Sequence, residues 1–109
     1  MAAKEEAEQK LKQLQMLEQN LQQILMQKQA FQGQLVEVDS ALSEIDKANT
    51  TYKIIGNIMI ESKKDDLKKD LQDRKESAEL RITSLDKQEE KIREQAQKLQ
   101  QEVLEKLKK

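Results

Sequence analysis

Residues 51–62 read TYKIIGNIMIES, an apolar stretch in the middle of a chain that consists mostly of Lys, Glu, Gln, Asp and Leu. Two β-rich runs flank the dipeptide Gly56-Asn57. Glycine at the first central position of a two-residue loop suits a type II′ hairpin turn. The stretch therefore predicts a β-hairpin over residues 50–62. The predicted register pairs three sets of residues: Ile55 with Ile58, Ile54 with Met59, and Lys53 with Ile60.

Apolar side chains fall on both faces of this predicted hairpin. One face carries Tyr52, Ile54, Met59 and Glu61, and the other carries Lys53, Ile55, Ile58 and Ile60. An isolated two-stranded hairpin is marginal in water, and its open edges invite pairing with another chain. We therefore expect the hairpin to be an assembly device. The alternative is a local apolar plug where the two flanking segments meet.

The segments on either side of the hairpin are predicted to be long helices, over residues 4–47 and 63–108 approximately. The chain contains no proline, and its apolar residues recur at alternating spacings of three and four, which is typical of a coiled coil. The first seam is Leu14, Leu17, Leu21, Ile24, Phe31, Leu35, Val38, Leu42 and Ile45, and only Lys28 interrupts it. The second seam is Leu71, Ala78, Ile82, Leu85, Ile92, Ala96, Leu99 and Val103, with Lys75 and Glu89 as interruptions.

A short connection makes antiparallel packing of the two helices the natural outcome. Pairing Leu42 with Leu71 keeps both seams in register as far as Leu14 with Leu99. Lys28 and Glu89 then fall in adjacent layers, where they could form an ion pair or could both reach water. The predicted fold class is mainly α. It is a long antiparallel two-helix coiled coil with one central β-hairpin joining the helices, in a single unit of residues 1–109.

The composition argues against several classes of function. The chain has neither histidine nor cysteine, so the usual general base and the usual transition-metal ligands are missing. Its two glycines, Gly33 and Gly56, form no phosphate-binding loop. We predict no catalytic residues, no metal site, no cofactor and no enzymatic activity. The net charge of −1 and the lack of a long apolar run predict neither nucleic-acid nor membrane binding.

Three groups of residues resemble one known family. They are Gln27-Lys28-Gln29 in the first helix, Tyr52-Lys53 with Gly56-Asn57-Ile58 in the hairpin, and Arg81 with Gln88-Glu89-Glu90 in the second helix. Together with the single hairpin, they resemble the β-class subunits of prefoldin, a molecular chaperone of archaea and eukaryotes. The resemblance covers the chain from about Leu11 to Leu104, and α-class subunits differ by carrying two hairpins.

The resemblance implies a cytoplasmic hexamer of two α-class and four β-class subunits, in which the hairpins join into β-barrels. The subunit interface would then be formed by Tyr52, Ile54, Ile55, Ile58, Met59 and Ile60. It also implies ATP-independent holding of unfolded client proteins and their delivery to a group II chaperonin.

Client binding is expected where the two chain termini meet, because the apolar stripe widens there. The candidate residues are Leu11, Leu14, Met16, Leu17, Leu21, Leu99, Val103, Leu104 and Leu107. Fraying of the last helical turns would turn these residues into a flexible apolar groove. Methionine suits such a groove, because its flexible side chain adapts to different binding partners. The alternative is ordinary seam packing up to the helix ends. Two rival readings of the whole chain are a coiled-coil scaffold or adaptor with one specific partner, and a homo-oligomer of this chain alone.

Overall fold

A computed structural model describes residues 2–108 as two long helices with a two-stranded antiparallel hairpin between them. Helix α1 runs over Ala2–Ile45, strand β1 over Thr51–Ile55, strand β2 over Ile58–Ser62 and helix α2 over Lys64–Lys108. The predicted fold class is confirmed.

Helix α1 ends where the sequence loses its helix-forming residues. The N–H groups of Lys47 and Ala48 donate to the carbonyls of Glu44 and Ile45 at 3.1 and 3.2 Å, a tightened last turn that uses two of the carbonyls left open at a helix end. Lys64 Nζ donates to the backbone carbonyl of Asp46 at 2.8 Å. A basic side chain at this position also complements the negative end of the helix dipole.

The hairpin has the predicted register. Its partners are Thr51 with Ser62, Tyr52 with Glu61, Lys53 with Ile60, Ile54 with Met59 and Ile55 with Ile58. Gly56 has φ +60°, and no non-glycine residue among residues 2–108 has a positive φ. This combination fits the predicted type II′ turn and excludes type I′, which needs positive φ at both central residues. At the open end, Thr51 Oγ1 donates to the Ser62 carbonyl at 2.7 Å.

Helix α2 begins one residue after the predicted Lys63. The Leu67 N–H donates to the Lys63 carbonyl at 3.1 Å, so Lys63 is the N-cap residue. Ser62, which with Asp65 three residues later has the spacing of a capping box, ends β2 instead. Asp65 and Asp66 lie in the first turn, where the helix dipole favours acidic side chains.

The packing falls into two compact units, which are described separately: the described part of Met1–Lys28 with Thr83–Lys109, and Gln29–Ile82. In the first unit, Lys10 pairs with Glu102 and Lys28 with Glu89, so the helices run antiparallel. In the second unit, Asp39 pairs with Lys75 and Asp46 with Lys68, which again shows antiparallel helices. These pairs agree with the predicted seam register.

The core of each unit is a thin line of seam residues. Buried apolar side chains are Ala7, Leu14, Ile24, Leu85 and Val103 in the first unit, and Val38, Ile45 and Ala78 in the second. Among residues 2–108 no side chain is less than 2% exposed. The fold therefore depends on a narrow helix–helix contact, as expected for a coiled coil.

Candidate functional site

The six candidate interface residues of the hairpin are exposed. Their exposed fractions run from 47% for Ile60 to 68% for Ile54. Contiguous apolar surface of this kind is typical of interaction sites in other proteins. The structure therefore provides an apolar surface at the predicted place, and its use as a subunit interface stays a prediction.

The register also decides which backbone groups of the hairpin are free. The Ile55–Ile58 pair closes the two-residue turn, so the next pair, Ile54–Met59, is a non-hydrogen-bonded one. The N–H and C=O groups of Ile54 point outward from β1, and those of Met59 point outward from β2. Each strand thus offers a free edge to which another strand can add.

A groove lies between β1 and the adjoining ends of the two helices. Its apolar lining includes Ala41, Ile45, Ala48, Leu67 and Leu71, together with Tyr52 and Ile54 of the hairpin. Lys53 Nζ lies 3.4 Å from Asp70 Oδ2 and ties the hairpin to α2. Seam residues and hairpin residues therefore form one continuous apolar region in the second unit.

The nine candidate client-binding residues divide into three groups. Leu14 and Val103 are buried in the seam, and Leu17, Leu21 and Leu99 are half-buried. The residues outside the seam are exposed: Leu11 at 46%, Met16 at 63%, Leu104 at 58% and Leu107 at 64%. The helices are closed at this end, since Ala7 is only 2% exposed. Fraying is thus not seen in the structure, and the apolar surface offered is the one outside the seam.

One groove runs along this end of the first unit. Its lining is Leu11, Leu14, Gln15, Glu18, Gln100, Val103 and Leu104. It joins the exposed Leu11 and Leu104 to the buried seam residues Leu14 and Val103, so exposed and buried apolar side chains line the same groove. We call residues 2–21 of α1 with residues 92–108 of α2 the terminal section.

Two ion pairs cross between the helices in the terminal section. Lys10 Nζ lies 2.7 Å from Glu102 Oε2, and Lys106 pairs with Glu6. Hydrogen bonds from these lysines, with their charge, lower the pKa of the Glu102 and Glu6 carboxyls. The carboxylates therefore stay ionised further into the acid range than isolated glutamates.

A third ion-pair cluster lies at the inner end of the first unit. Lys28 Nζ lies 2.6 Å from Asp86 Oδ1 and 3.1 Å from Glu89 Oε2, and Arg93 pairs with the same Glu89 at 3.1 Å. The hydrogen bonds that Lys28 donates to Asp86 and then to Glu89 raise the pKa of Lys28. The hydrogen bonds that Glu89 accepts from Lys28 and Arg93 lower the pKa of Glu89. Of the two readings left open by the sequence, the structure shows the ion pair.

Within residues 2–108 no group of three or more acidic side chains is placed to hold a metal ion. In the same range, no helix combines the length and apolar character that crossing a membrane requires.

Comparison with known proteins agrees with the geometry. The family model described as prefoldin subunit matches residues 8–109. The chain belongs to the prefoldin subunit family. Prefoldin subunits are chaperones rather than enzymes, so the prediction of a non-enzymatic protein is confirmed.

The relatives point to the β class of prefoldin. Prefoldin subunit beta of Archaeoglobus fulgidus is 39% identical over 94 residues, which cover 84% of this chain and 81% of the relative. Prefoldin subunit beta of Pyrobaculum calidifontis is 42% identical over 86 residues, which cover 76% and 69%. The crystal structure of the prefoldin beta subunit from Thermococcus strain KS-1 matches with a TM-score of 0.83 at 31% identity, covering 90% of this chain and 89% of that one. The suspected resemblance to β-class prefoldin is confirmed.

Sequence reasoning missed part of this prefoldin chain's terminal section. The seam was taken to begin at Leu14, whereas the same spacing continues back to Lys10 and to the buried Ala7. The signal was present in the heptad count, but alanine and lysine do not stand out as seam residues. Glu6 and Glu102, which flank the seam, gave no signal because glutamate is frequent on every face of both helices.

Proposed function

We propose that this chain is a subunit of an ATP-independent chaperone of the prefoldin type. In this proposal it assembles through its hairpin with α-class subunits, four β-class chains to two α-class chains, in the cytoplasm. The complex holds non-native polypeptides at the terminal sections and delivers them to a group II chaperonin. The observation that carries the proposal is the exposed apolar hairpin with two free strand edges, in a chain of the prefoldin family.

Assembly through the hairpin is supported by the free-energy cost of leaving its apolar side chains in water. Six large side chains on ten strand residues are about half exposed or more, and no third strand covers them in the described part of the chain. Packing against neighbouring hairpins would bury this apolar area and would give the free N–H and C=O groups of the strand edges hydrogen-bond partners. Binding between subunits makes the complex depend on protein concentration.

Holding at the terminal section is supported by the leucines outside the seam. Their surface is apolar and lies beside a groove that already contains Leu14 and Val103. Several such weak sites in one complex would act together on a single client, because linked sites raise the effective concentration. The chain has no Gly-rich nucleotide loop, so client release is not powered by hydrolysis in this subunit.

Two measurements test the proposal. Native mass spectrometry of the chain mixed with a prefoldin α-class subunit is expected to give a complex of two α and four β chains. A stable dimer of this chain alone, with no uptake of the α-class subunit, would instead favour the scaffold reading. The complex is further expected to suppress the aggregation of a denatured, unrelated protein.

The place of holding is tested by shortening the helices. A variant lacking residues 1–17 and 100–109 is expected to assemble through its intact hairpin but to lose most of the suppression. Unchanged suppression by an assembled, shortened complex would exclude the terminal section as the client site.

A further inference from the structure

The two sides of the coiled coil differ in the terminal section. In the heptad pattern Leu14 and Val103 are a positions and Lys10 and Lys106 are d positions, which makes Glu6 and Glu102 g positions. Both cross-helix ion pairs, Lys10–Glu102 and Lys106–Glu6, therefore lie on the side formed by the g and c positions. The groove on that side is lined by Gln13, Leu17, Gln95, Lys98, Leu99 and Glu102. We call it the ion-pair side. Its two leucines are half-buried seam residues, and its other lining residues are polar or charged.

The opposite side, formed by the e and b positions, carries the exposed leucines. Leu11 and Leu107 occupy e positions and Leu104 a b position, so all three lie on one side of the seam. Leu11 and Leu104 line the groove there together with the buried Leu14 and Val103. We call this the leucine side. Met16, one of the nine candidate client-binding residues, lies at a c position on the ion-pair side and is therefore not part of the client site proposed below, although it is 63% exposed.

We propose that client polypeptide binds only on the leucine side of the terminal section, while the ion-pair side holds the two helices together. The proposal rests on the chaperone function proposed above and states which surface performs it. On the leucine side the apolar surface runs from the exposed Leu104 to the buried Val103 within one groove. The ion pairs bridge the helices only on the other side. Client binding in the groove therefore leaves the ion pairs intact, and the two helices stay together.

The occupant that fits this groove is an extended apolar segment with a basic residue beside it. Leu11 and Leu104 offer apolar contact, and the side-chain amides of Gln15 and Gln100 can both donate to and accept from an unpaired peptide backbone. The one charged residue in the lining is the carboxylate of Glu18. A neighbouring Lys or Arg in the client would complement that charge, whereas an acidic residue would be repelled.

The side of binding is tested with a matched pair of variants in the full-length, assembled protein. Leu104→Ser and Met16→Ser remove side chains of similar exposure, 58% and 63%, from opposite sides of the seam. The probe is a fluorescein-labelled 14-residue peptide of Leu, Ala and Lys, and its affinity is read from fluorescence anisotropy. We expect Leu104→Ser to weaken binding by roughly tenfold, because one leucine contact is lost, and Met16→Ser to leave it within twofold. Leu11→Ser should behave like Leu104→Ser.

The outcomes separate this proposal from the chaperone function itself. Equal losses for Leu104→Ser and Met16→Ser, with binding by the unchanged protein intact, would overturn the one-sided site and leave the chaperone function standing. Absence of both peptide binding and aggregation suppression in the unchanged protein would overturn both. Since the chain has no cysteine, Leu107→Cys and Met16→Cys can each carry a single photo-crosslinker. Cross-links to the peptide are expected from position 107 and not from position 16.

The charge preference has its own test. Replacing every Lys of the peptide by Glu is expected to weaken binding roughly threefold, the size typical of one exposed charge pair. Glu18→Gln should remove most of that difference while leaving the affinity for the lysine peptide within threefold. Equal affinity of the two peptides for the unchanged protein would overturn the preference for basic segments.

Discussion

Lysine occupies four seam positions that leucine would fill in a simpler coiled coil. Each of them pairs with a carboxylate on the opposite helix: Lys10 with Glu102, Lys28 with Asp86 and Glu89, Lys75 with Asp39, and Lys106 with Glu6. A lysine at a seam position gives up apolar packing, but it favours the helix alignment that places a carboxylate opposite it. These residues therefore specify how the helices align more than they stabilise the contact.

The Lys28–Glu89 pair allows the effect of charged seam residues on stability to be compared with that of apolar ones. Lys28→Ala is expected to lower the Tm, because it leaves the half-buried Glu89 with Arg93 alone. The double variant Lys28→Leu with Glu89→Leu is expected to melt above the unchanged protein, since two apolar seam residues replace two charges. Thermal unfolding followed by circular dichroism measures both. Lys91→Ala, at an exposed position of α2, is the control and should melt within about a degree of the unchanged protein. A double variant that melts lower would show that the pair is a net source of stability.

The same pairs predict a plateau in the pH dependence of stability. The lowered pKa values of Glu6, Glu89 and Glu102 mean that their contribution is present above the ordinary value of 4.5 and is lost as the pH falls through the lower folded values. The pKa values of Lys28 and Lys75 are raised, so the contribution of these lysines to the free energy of unfolding is present below 10.5. That contribution is lost as the pH rises through the higher folded values. The chain has no histidine to titrate between these limits.

We therefore expect the Tm to be nearly constant between about pH 5 and 10 and to fall on both sides. Glu89→Gln should lower the plateau and make the acid-side fall shallower, because one linked carboxylate has been removed. A Tm that drops steeply between pH 6 and 8 would contradict this account.

Single residues were the hardest to predict from the sequence. The Lys28–Glu89 pair could be foreseen as one of two outcomes, because a lysine side chain is long enough either to reach its partner or to reach water. The Lys10–Glu102 and Lys106–Glu6 pairs were not foreseen, because both residue types occur on every helix face. The pairs that form can be identified only when the alignment of the two helices is known to within one residue.

At the scale of elements, the hairpin could be predicted almost completely. The Gly56-Asn57 turn and the alternation around it determine the strands and their register together. The start of α2 was less certain, since Ser62 can either cap a helix or end a strand. In the structure its carbonyl accepts the Thr51 hydroxyl, which keeps Ser62 in the hairpin. A contact across the hairpin thus decided a choice that local preference left open.

The two glycines should respond oppositely to the same substitution. Gly56→Ala is expected to destabilise the protein by about 1–2 kcal/mol, because alanine is strained at φ +60°. Gly33→Ala is expected to stabilise it by up to about 1 kcal/mol, since Gly33 lies inside α1 and a Cβ there meets nothing within 4 Å. Chemical denaturation of both variants gives the comparison. Loss of stability in Gly33→Ala would indicate a partner contact at that helix face.

The seam is the part of each helix that supplies packing energy. Ile24→Ala is expected to cost about 2 kcal/mol, because Ile24 is only 8% exposed. Leu80→Ala removes a side chain that is 72% exposed and should change the free energy of unfolding by less than about 0.5 kcal/mol. Denaturation curves with equal slopes would make the two values comparable. Similar costs for both would show that Leu80 is covered in the assembled protein.

At the scale of the whole molecule, the two candidate surfaces belong to different packing units. The hairpin lies in Gln29–Ile82, and the terminal section in the unit formed by the two chain ends. The composition, in which Phe31 and Tyr52 are the only aromatic residues, predicts no thick core, and the expected roles of the two surfaces came from the family resemblance. The sequence could not show that the seam stays closed at its end, because that depends on Ala7 and on two ion pairs between residues about a hundred positions apart.

Assembly should therefore be separable from folding of the helices. Ile55→Ser with Ile58→Ser removes apolar side chains from the end of one hairpin face, and both are more than half exposed in the single chain. We expect the double variant to keep its helical circular dichroism but to lose oligomers in native mass spectrometry, because the buried area between subunits shrinks. Leu80→Ser, at a site on α2 that is 72% exposed, should still assemble. Oligomers of unchanged mass in the double variant would exclude this hairpin face from the interface.

The seam lysines also have a consequence while the chain is being synthesised. Helix α1 emerges from the ribosome before α2 exists, so for a time its apolar seam has no partner within the same molecule. Neighbouring nascent chains on one messenger carry identical α1 segments, which could pair in parallel through their leucines. Such a pair would set Lys10 against Lys10 and Lys28 against Lys28, with no carboxylate from α2 to neutralise them. The lysines thus disfavour parallel pairing between the α1 helices of two nascent chains. The seam of α1 stays free until α2 of the same chain has been synthesised.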